Sequence, residues 1–353
     1  MAIHFDMDRM ERVKETYDAW WNGTLDRPLL RMMILDAYPL DRPLNYPYVT
    51  LDMAADFSMT PECLIDTLDQ DLSTMEFLAD GFPFISFSGF GPGILAAMCG
   101  AKLVNKNGNN WMYPEKEIEI EDIHVKYNPD NVWTKRIKEI YRVGFEKWDG
   151  LVIMGMPDLG GVLDIAASLR GTENLMMDFL DSPDEVKRLS DEIHQAWYDA
   201  YADFRQALAP QRVNADYPGL LSTKTSAIIQ CDLCHNISNP MFREFVLDTI
   251  REDTERLSNV IYHLDGEGEL IHLDDILGLE KLKAIQWVYG FERRGAKYWM
   301  PLYEKILKAE KNLWLQSVED FFCVMDAYHA KPYFDCVLHD KDRDLAKKII
   351  EAR

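Results

Sequence analysis

Short apolar runs alternate with helix-period segments along nearly the whole chain, and this alternation is the first thing the sequence establishes. Residues 12–21 read as an amphipathic helix in which Val13, Tyr17, Trp20 and Trp21 share a face. Residues 29–35 (LLRMMIL) form a strand-like run, and residues 39–47 a proline-punctuated loop. Thr60-Pro61-Glu62 opens a helix towards Leu72, with proline in its first turn. Residues 82–87 (FPFISF) are the next strand, followed by the Gly89–Gly93 turn and a helical segment over 94–99. Residues 105–113 read as a polar loop carrying Trp111, and Asn131 begins a long helical pattern.

The same rhythm continues. Residues 151–154 are a short strand before the Met156-Pro157-Asp158-Leu159-Gly160-Gly161 turn and a helix over 162–169. Ser182-Pro183-Asp184-Glu185 starts a helix that reaches about Leu208. Residues 226–230, 260–262, 284–288, 313–318 and 333–337 are expected as strands, with helices between them and a last helix over 343–352. Strands separated by helices predict a parallel sheet. About eight such units without a linker or an internal repeat point to an α/β chain folded as a single (β/α)8 TIM barrel with an N-terminal helical extension, one domain spanning residues 1–353.

Composition narrows the function. The chain is 47% hydrophobic and 12% aromatic over 353 residues, enough for a large core. Its 60 acidic against 38 basic residues leave a net charge of −22, which argues against nucleic acid or an anionic membrane as partner. The first ten residues carry Asp6, Asp8 and Arg9, unlike a secretory leader, and no apolar run approaches the roughly 20 residues of a membrane span. A cytoplasmic protein is expected. Six cysteines in a chain this long read as reduced thiols.

Polar residues at the C-terminal ends of barrel strands are where the chemistry of such folds sits. Tyr262-His263-Leu264-Asp265-Gly266-Glu267-Gly268 fits that description, closing an apolar run with His, Asp and Glu. In a strand, positions 263 and 265 point to one face, so the imidazole and the carboxylate are expected to converge. Asp158 and Asp232 follow other strands and are expected as pocket carboxylates, with Glu267 beside them as a further acid–base candidate. Trp287, His272 and Trp111 are the candidates for lining a substrate pocket, aromatic faces being suited to flat or methylated ligands. Cys231-x-x-Cys234-His235 has the pattern of covalent haem attachment and of half a zinc knuckle. Without an exporting context or a second Cys-x-x-Cys, it reads as two turn-borne cysteines at the barrel rim. Pro92 removes a donor from the Gly89–Gly93 turn, which therefore reads as a bare turn and not a phosphate cradle.

Three segments carry a resemblance. Phe90-Gly-Pro-Gly-Ile-Leu-Ala-Ala-Met98, Asp158-Leu-Gly-Gly-Val-Leu-Asp-Ile165 running to Asn174, and Ile237-Ser-Asn-Pro-Met-Phe-Arg-Glu-Phe245 are similar to motifs of the uroporphyrinogen decarboxylase superfamily, which includes corrinoid-dependent methyltransferases. Tyr262–Gly268 and Ala284–Val288 fall in order for its fifth and sixth barrel strands. Where true decarboxylases carry an Arg-Gln-Ala-Gly-Arg-Tyr signature, this chain has Leu35-Asp36-Ala37-Tyr38-Pro39-Leu40-Asp41. Asp36 and Asp41 in place of arginines repel a polycarboxylate, which disfavours porphyrinogen decarboxylation.

The resemblance implies zinc in the methyltransferase branch, held by a His-x-Cys-Gly motif and a cysteine near the last strand. His263 matches the histidine, Asp265 stands where the first cysteine would be, and Cys336 matches the second. A His263/Asp265/Cys336 set is compatible with zinc but harder than a thiolate pair. The resemblance further implies a corrinoid on a partner protein, a small methylated compound or thiol as substrate, and a homodimer. A metal-free lyase using the strand-end carboxylates, or a catalytically silent binding protein, are the alternatives.

Overall fold

The computed structural model describes residues 2–38, 40, 49–106, 109–290 and 294–353. Asp41, and the proline-punctuated loop apart from Leu40, lie outside the described residues. The chain folds as mixed α/β around a largely parallel sheet. In spatial order its strands are Glu76–Ala79, Leu29–Ile34, Tyr333–Leu338, Asn312–Leu315, Ala284–Val288, Asn259–Asp265 and Ser226–Ile229. All neighbours pair in parallel except Glu76–Ala79, which runs antiparallel along Leu29–Ile34. Phe84–Ile85 and Ile153–Met154 form a separate parallel pair.

The strands are largely apolar because both of their faces are covered; every residue of Leu29–Ile34 is buried, Arg31 included. Their alternating side chains divide between two cores. Leu29, Ile261, Ala284, Trp314 and Tyr333 join a smaller cluster with Met10, Val13, Tyr17, Trp20 and Trp21 of the first helix, Asp8–Trp21. Leu30, Met32, Tyr262, Leu264, Ile285, Trp287, Phe334 and Cys336 face the larger cluster with the surrounding helices. The N-terminal helix thus closes the inner face at the N-terminal ends of the strands. Trp20 Nε1 donates to the Lys331 carbonyl at 2.8 Å and Trp21 Nε1 to that of Leu221 at 2.9 Å, so neither indole is left dry and unpaired.

Local signals hold where they are strongest. Thr60 caps Pro61–Leu72 by accepting the Cys63 N–H at 3.3 Å. Pro183 opens the helix Pro183–Ala207. The expected strand over 313–318 ends sooner, at Leu315, because Ser317 caps the helix Val318–Tyr328. Of the expected polar loop over 105–113, residues 105–106 and 109–113 are strand: Asn109–Tyr113 pairs antiparallel with Lys102–Lys106. Its polar residues hide the period of two, and cross-strand pairing decides the outcome. A short antiparallel pair, Asn214–Asp216 with Leu220–Ser222, escapes sequence reading altogether. Among the described residues, no helix is long and apolar enough to cross a membrane.

Candidate metal and acid–base site

Two chain segments meet at the C-terminal ends of the parallel strands. The strand Asn259–Asp265 presents His263 and Asp265 on the same face, as its period of two requires. Asp232 arrives from the turn after Ser226–Ile229. One ligand atom from each of Asp232, His263 and Asp265 lies within 4.8 Å of the others. Asp232 is the exposed member of the three and the other two are half-buried.

The turn that delivers Asp232 is fixed from behind. Cys234 N–H donates to the Cys231 carbonyl at 2.9 Å. The backbone N–H groups of Asp232 and Leu233 donate to Asp164 at 3.1 and 2.8 Å. Asp164 stands on the helix Val162–Arg170, whose start touches the turn: a Cβ at Gly161 would lie 2.3 Å from the Gln230 carbonyl oxygen. Only glycine allows this approach. Cys231 and Cys234 are buried in the turn, so the Cys-x-x-Cys-His pattern is packing around the Asp232 loop.

His263 is oriented from the neighbouring strand. Its Nδ1 lies 2.6 Å from Gln286 Oε1, which also accepts the Tyr217 hydroxyl at 3.0 Å. Because the amide oxygen only accepts, Nδ1 is the nitrogen that donates in this hydrogen bond.

The surroundings are rich in carboxyls held above their ordinary range. Burial raises Asp158 to about 6, opposed by the Gly160 N–H and His263 and reinforced by Asp232. Asp164 rises to about 7, first through burial and then through Asp232. Asp216, buried and accepting the Ser226 hydroxyl at 2.8 Å, also rises to about 7, mainly through burial. Glu269 is fully buried and is pushed up to about 10 by burial and then by Asp232, Asp164 and Asp265. Asp232 is crowded by protein atoms although it opens to solvent; desolvation raises it, with His263 opposing and Asp265 adding. Carboxyls held at about 6 to 7, as at Asp158, Asp164 and Asp216, exchange protons near neutral pH.

The expected site residues divide. His263, Asp265 and Asp232 come together, and Asp158 feels the charges of both Asp232 and His263. Glu267 stands at the rim, half-exposed, 3.6 Å from Arg294. Trp111 is 46% exposed and lines a cavity of about 350 Å³ that also touches Asp164 and Asp232.

Three expectations place their side chain wrongly. Cys336 lies opposite Met32 while its neighbour Asp335 lies opposite Arg31, with which it pairs at 2.7 Å. Cys336 therefore faces the outer helices, where burial pushes its thiol up to about 12, and it does not join His263 and Asp265. Trp287 is in register with Leu264 and not with His263; it packs edge-on to Trp299 at 4.7 Å, away from the strand-end mouth. His272 is fully buried, stacks on Phe242 at 4.4 Å and meets the Cys234 carbonyl at 3.1 Å through Nε2. It braces the Asp232 turn from behind. Asp164, Asp216, Tyr217, Glu269 and Gln286 were missed; Gln286 alone had a usable signal, a polar residue inside an apolar strand.

No known family's sequence profile matches the chain, and no curated protein matches it. The fold does match a solved structure, a methyltransferase from Methanosarcina mazei, with a TM-score of 0.58 over 96% of this chain and 97% of that one. At 14% identity this likeness establishes a shared fold.

Proposed function

We propose that the chain is a methyl-transfer enzyme of the methyltransferase-like branch of the uroporphyrinogen decarboxylase superfamily, built on a closed (β/α)8 ring. The convergence of Asp232, His263 and Asp265 at the strand ends carries this reading. Ring closure is supported by hydrogen bonds leading from the smaller parallel pair towards the large sheet. Gly155 N–H donates to the Ile85 carbonyl at 2.9 Å, Met156 N–H to Ala215 at 2.8 Å, and the Asn214 amide to Ser226 at 2.8 Å.

The donor set fits a divalent cation. Two carboxylates and an imidazole supply three ligands, and Gln286 fixes the imidazole through its other nitrogen, as outer-shell partners of metal-bound histidines do. Asp232, His263 and Asp265 would hold zinc there, and the ion would supply Lewis acidity. With Asp265 in a cysteine's place and Cys336 facing away, the set is harder than a thiolate site. Asp158, its carboxyl raised to about 6 by burial, positions the substrate and takes up or returns a proton. The methyl group moves as a CH3+ equivalent: its bonding pair stays with the atom it leaves, and the acceptor supplies a lone pair. The reading includes a corrinoid on a partner protein as methyl donor or acceptor, a homodimer and a cytoplasmic setting.

Metal analysis of gently purified protein, with and without chelator, tests this together with methyl transfer between methylcobalamin and small thiols. Stoichiometric zinc and chelator-sensitive transfer, both lost in His263→Ala, are expected. Equal metal content in the unaltered protein and His263→Ala would end the proposal. The raised carboxyls at 158, 164 and 216 favour a second reading, a metal-free lyase working by acid–base catalysis. That enzyme would turn over unchanged in chelator.

A further inference from the structure

The cavity of about 350 Å³ beside the cluster has a one-sided chemistry. Asp164 and Asp232 stand in its wall, and no lysine, arginine or histidine is among its described lining residues. Gln230, Ser168, Thr172 and Asn236 add neutral oxygen acceptors. Among the described lining residues, no opposite charge balances the two carboxyl groups.

Aromatic rings complete the enclosure. Trp111 and Tyr113 are two apart on Asn109–Tyr113 and so share a face, while Met112 between them is buried in the core. The rings remain 46% and 42% exposed, and both line the cavity. Large rings left in water beside carboxylates form a surface that gains from a ligand both apolar and positively charged, since a ring face attracts a cation and its body covers methyl groups. An anionic thiol or a carboxylate would meet Asp164 and Asp232 with like charge.

We propose that this cavity binds a small methylated ammonium cation, held by the carboxylates of Asp164 and Asp232 against the faces of Trp111 and Tyr113. This deepens the methyl-transfer reading and rests on it for the ligand's role, because Asp232 belongs to both the cavity wall and the cluster around His263. It requires no metal for binding.

Calorimetric titration with choline, and with its neutral isostere in which a quaternary carbon replaces the nitrogen, separates charge from shape. Choline is expected to bind at least about tenfold more tightly than the isostere, and Trp111→Leu and Asp164→Asn are each expected to weaken it about tenfold. Trp111 is half-exposed, so its replacement leaves the core intact. Equal binding of the two ligands, no binding of choline, or full choline affinity in Trp111→Leu would overturn the inference. His263→Ala, run in parallel with metal analysis, keeps the two proposals apart. Choline binding that survives loss of metal supports the cavity by itself. Normal metal content in unaltered protein that does not bind choline overturns the cavity and leaves the metal reading standing.

Discussion

His263 Nδ1 and Gln286 Oε1 lie 2.6 Å apart, across two strands paired so that these residues stand directly opposite one another. The amide thereby fixes both the ring's orientation and its tautomer. Gln286→Leu removes the acceptor and is expected to weaken metal binding about 10- to 100-fold, whereas Gln286→Glu retains it. Competition titration against a chromophoric chelator measures this. Undiminished affinity in the leucine variant would show that Gln286 does not orient a metal ligand.

Cys336 gives a sharper test, because it was the expected thiolate and the structure turns it to the outer face. Cys336→Ala is expected to keep the full metal content of the unaltered protein. Loss of the metal in this variant would return sulfur to the ligand set.

Asp216 governs a pH dependence. Burial holds its carboxyl at about 7, so between the ordinary carboxylate range and about pH 7 the folded chain keeps a proton that the unfolded chain has released. Its contribution to stability is full in acid and is lost as pH rises through about 7. Asn at 216 can still accept the Ser226 hydroxyl but does not titrate. Asp216→Asn is expected to remove a decline on the order of 1 kcal/mol per pH unit across that window. Urea denaturation at about pH 5 and about pH 8 compares the two, and identical slopes would assign the proton elsewhere.

The N-terminal helix is structural. Trp20 is 3% exposed, packs against Trp21 at 4.8 Å and donates to the Lys331 carbonyl. Trp20→Ala is expected to cost about 3–5 kcal/mol of stability while leaving metal content per folded molecule unchanged. Thermal unfolding and elemental analysis read the two quantities separately. A stable variant lacking metal would tie this helix to the site.

The sequence by itself determined what depends on near neighbours. Alternating strands and helices, proline- and serine-marked helix starts, and the shared face of His263 and Asp265 all follow from periods of 3.6 and 2 along a few residues. The same period separates Asp335 from Cys336 and Gln286 from Trp287, but it does not say which of each pair faces inward; parallel pairing with Arg31 and with His263 decides that. Tertiary structure alone brought Asp232 to His263 through a turn held by Asp164, and raised the carboxyls at 158, 164, 216 and 269. Register and desolvation are properties of segments distant in the chain, set only when the strands have paired and water has been excluded.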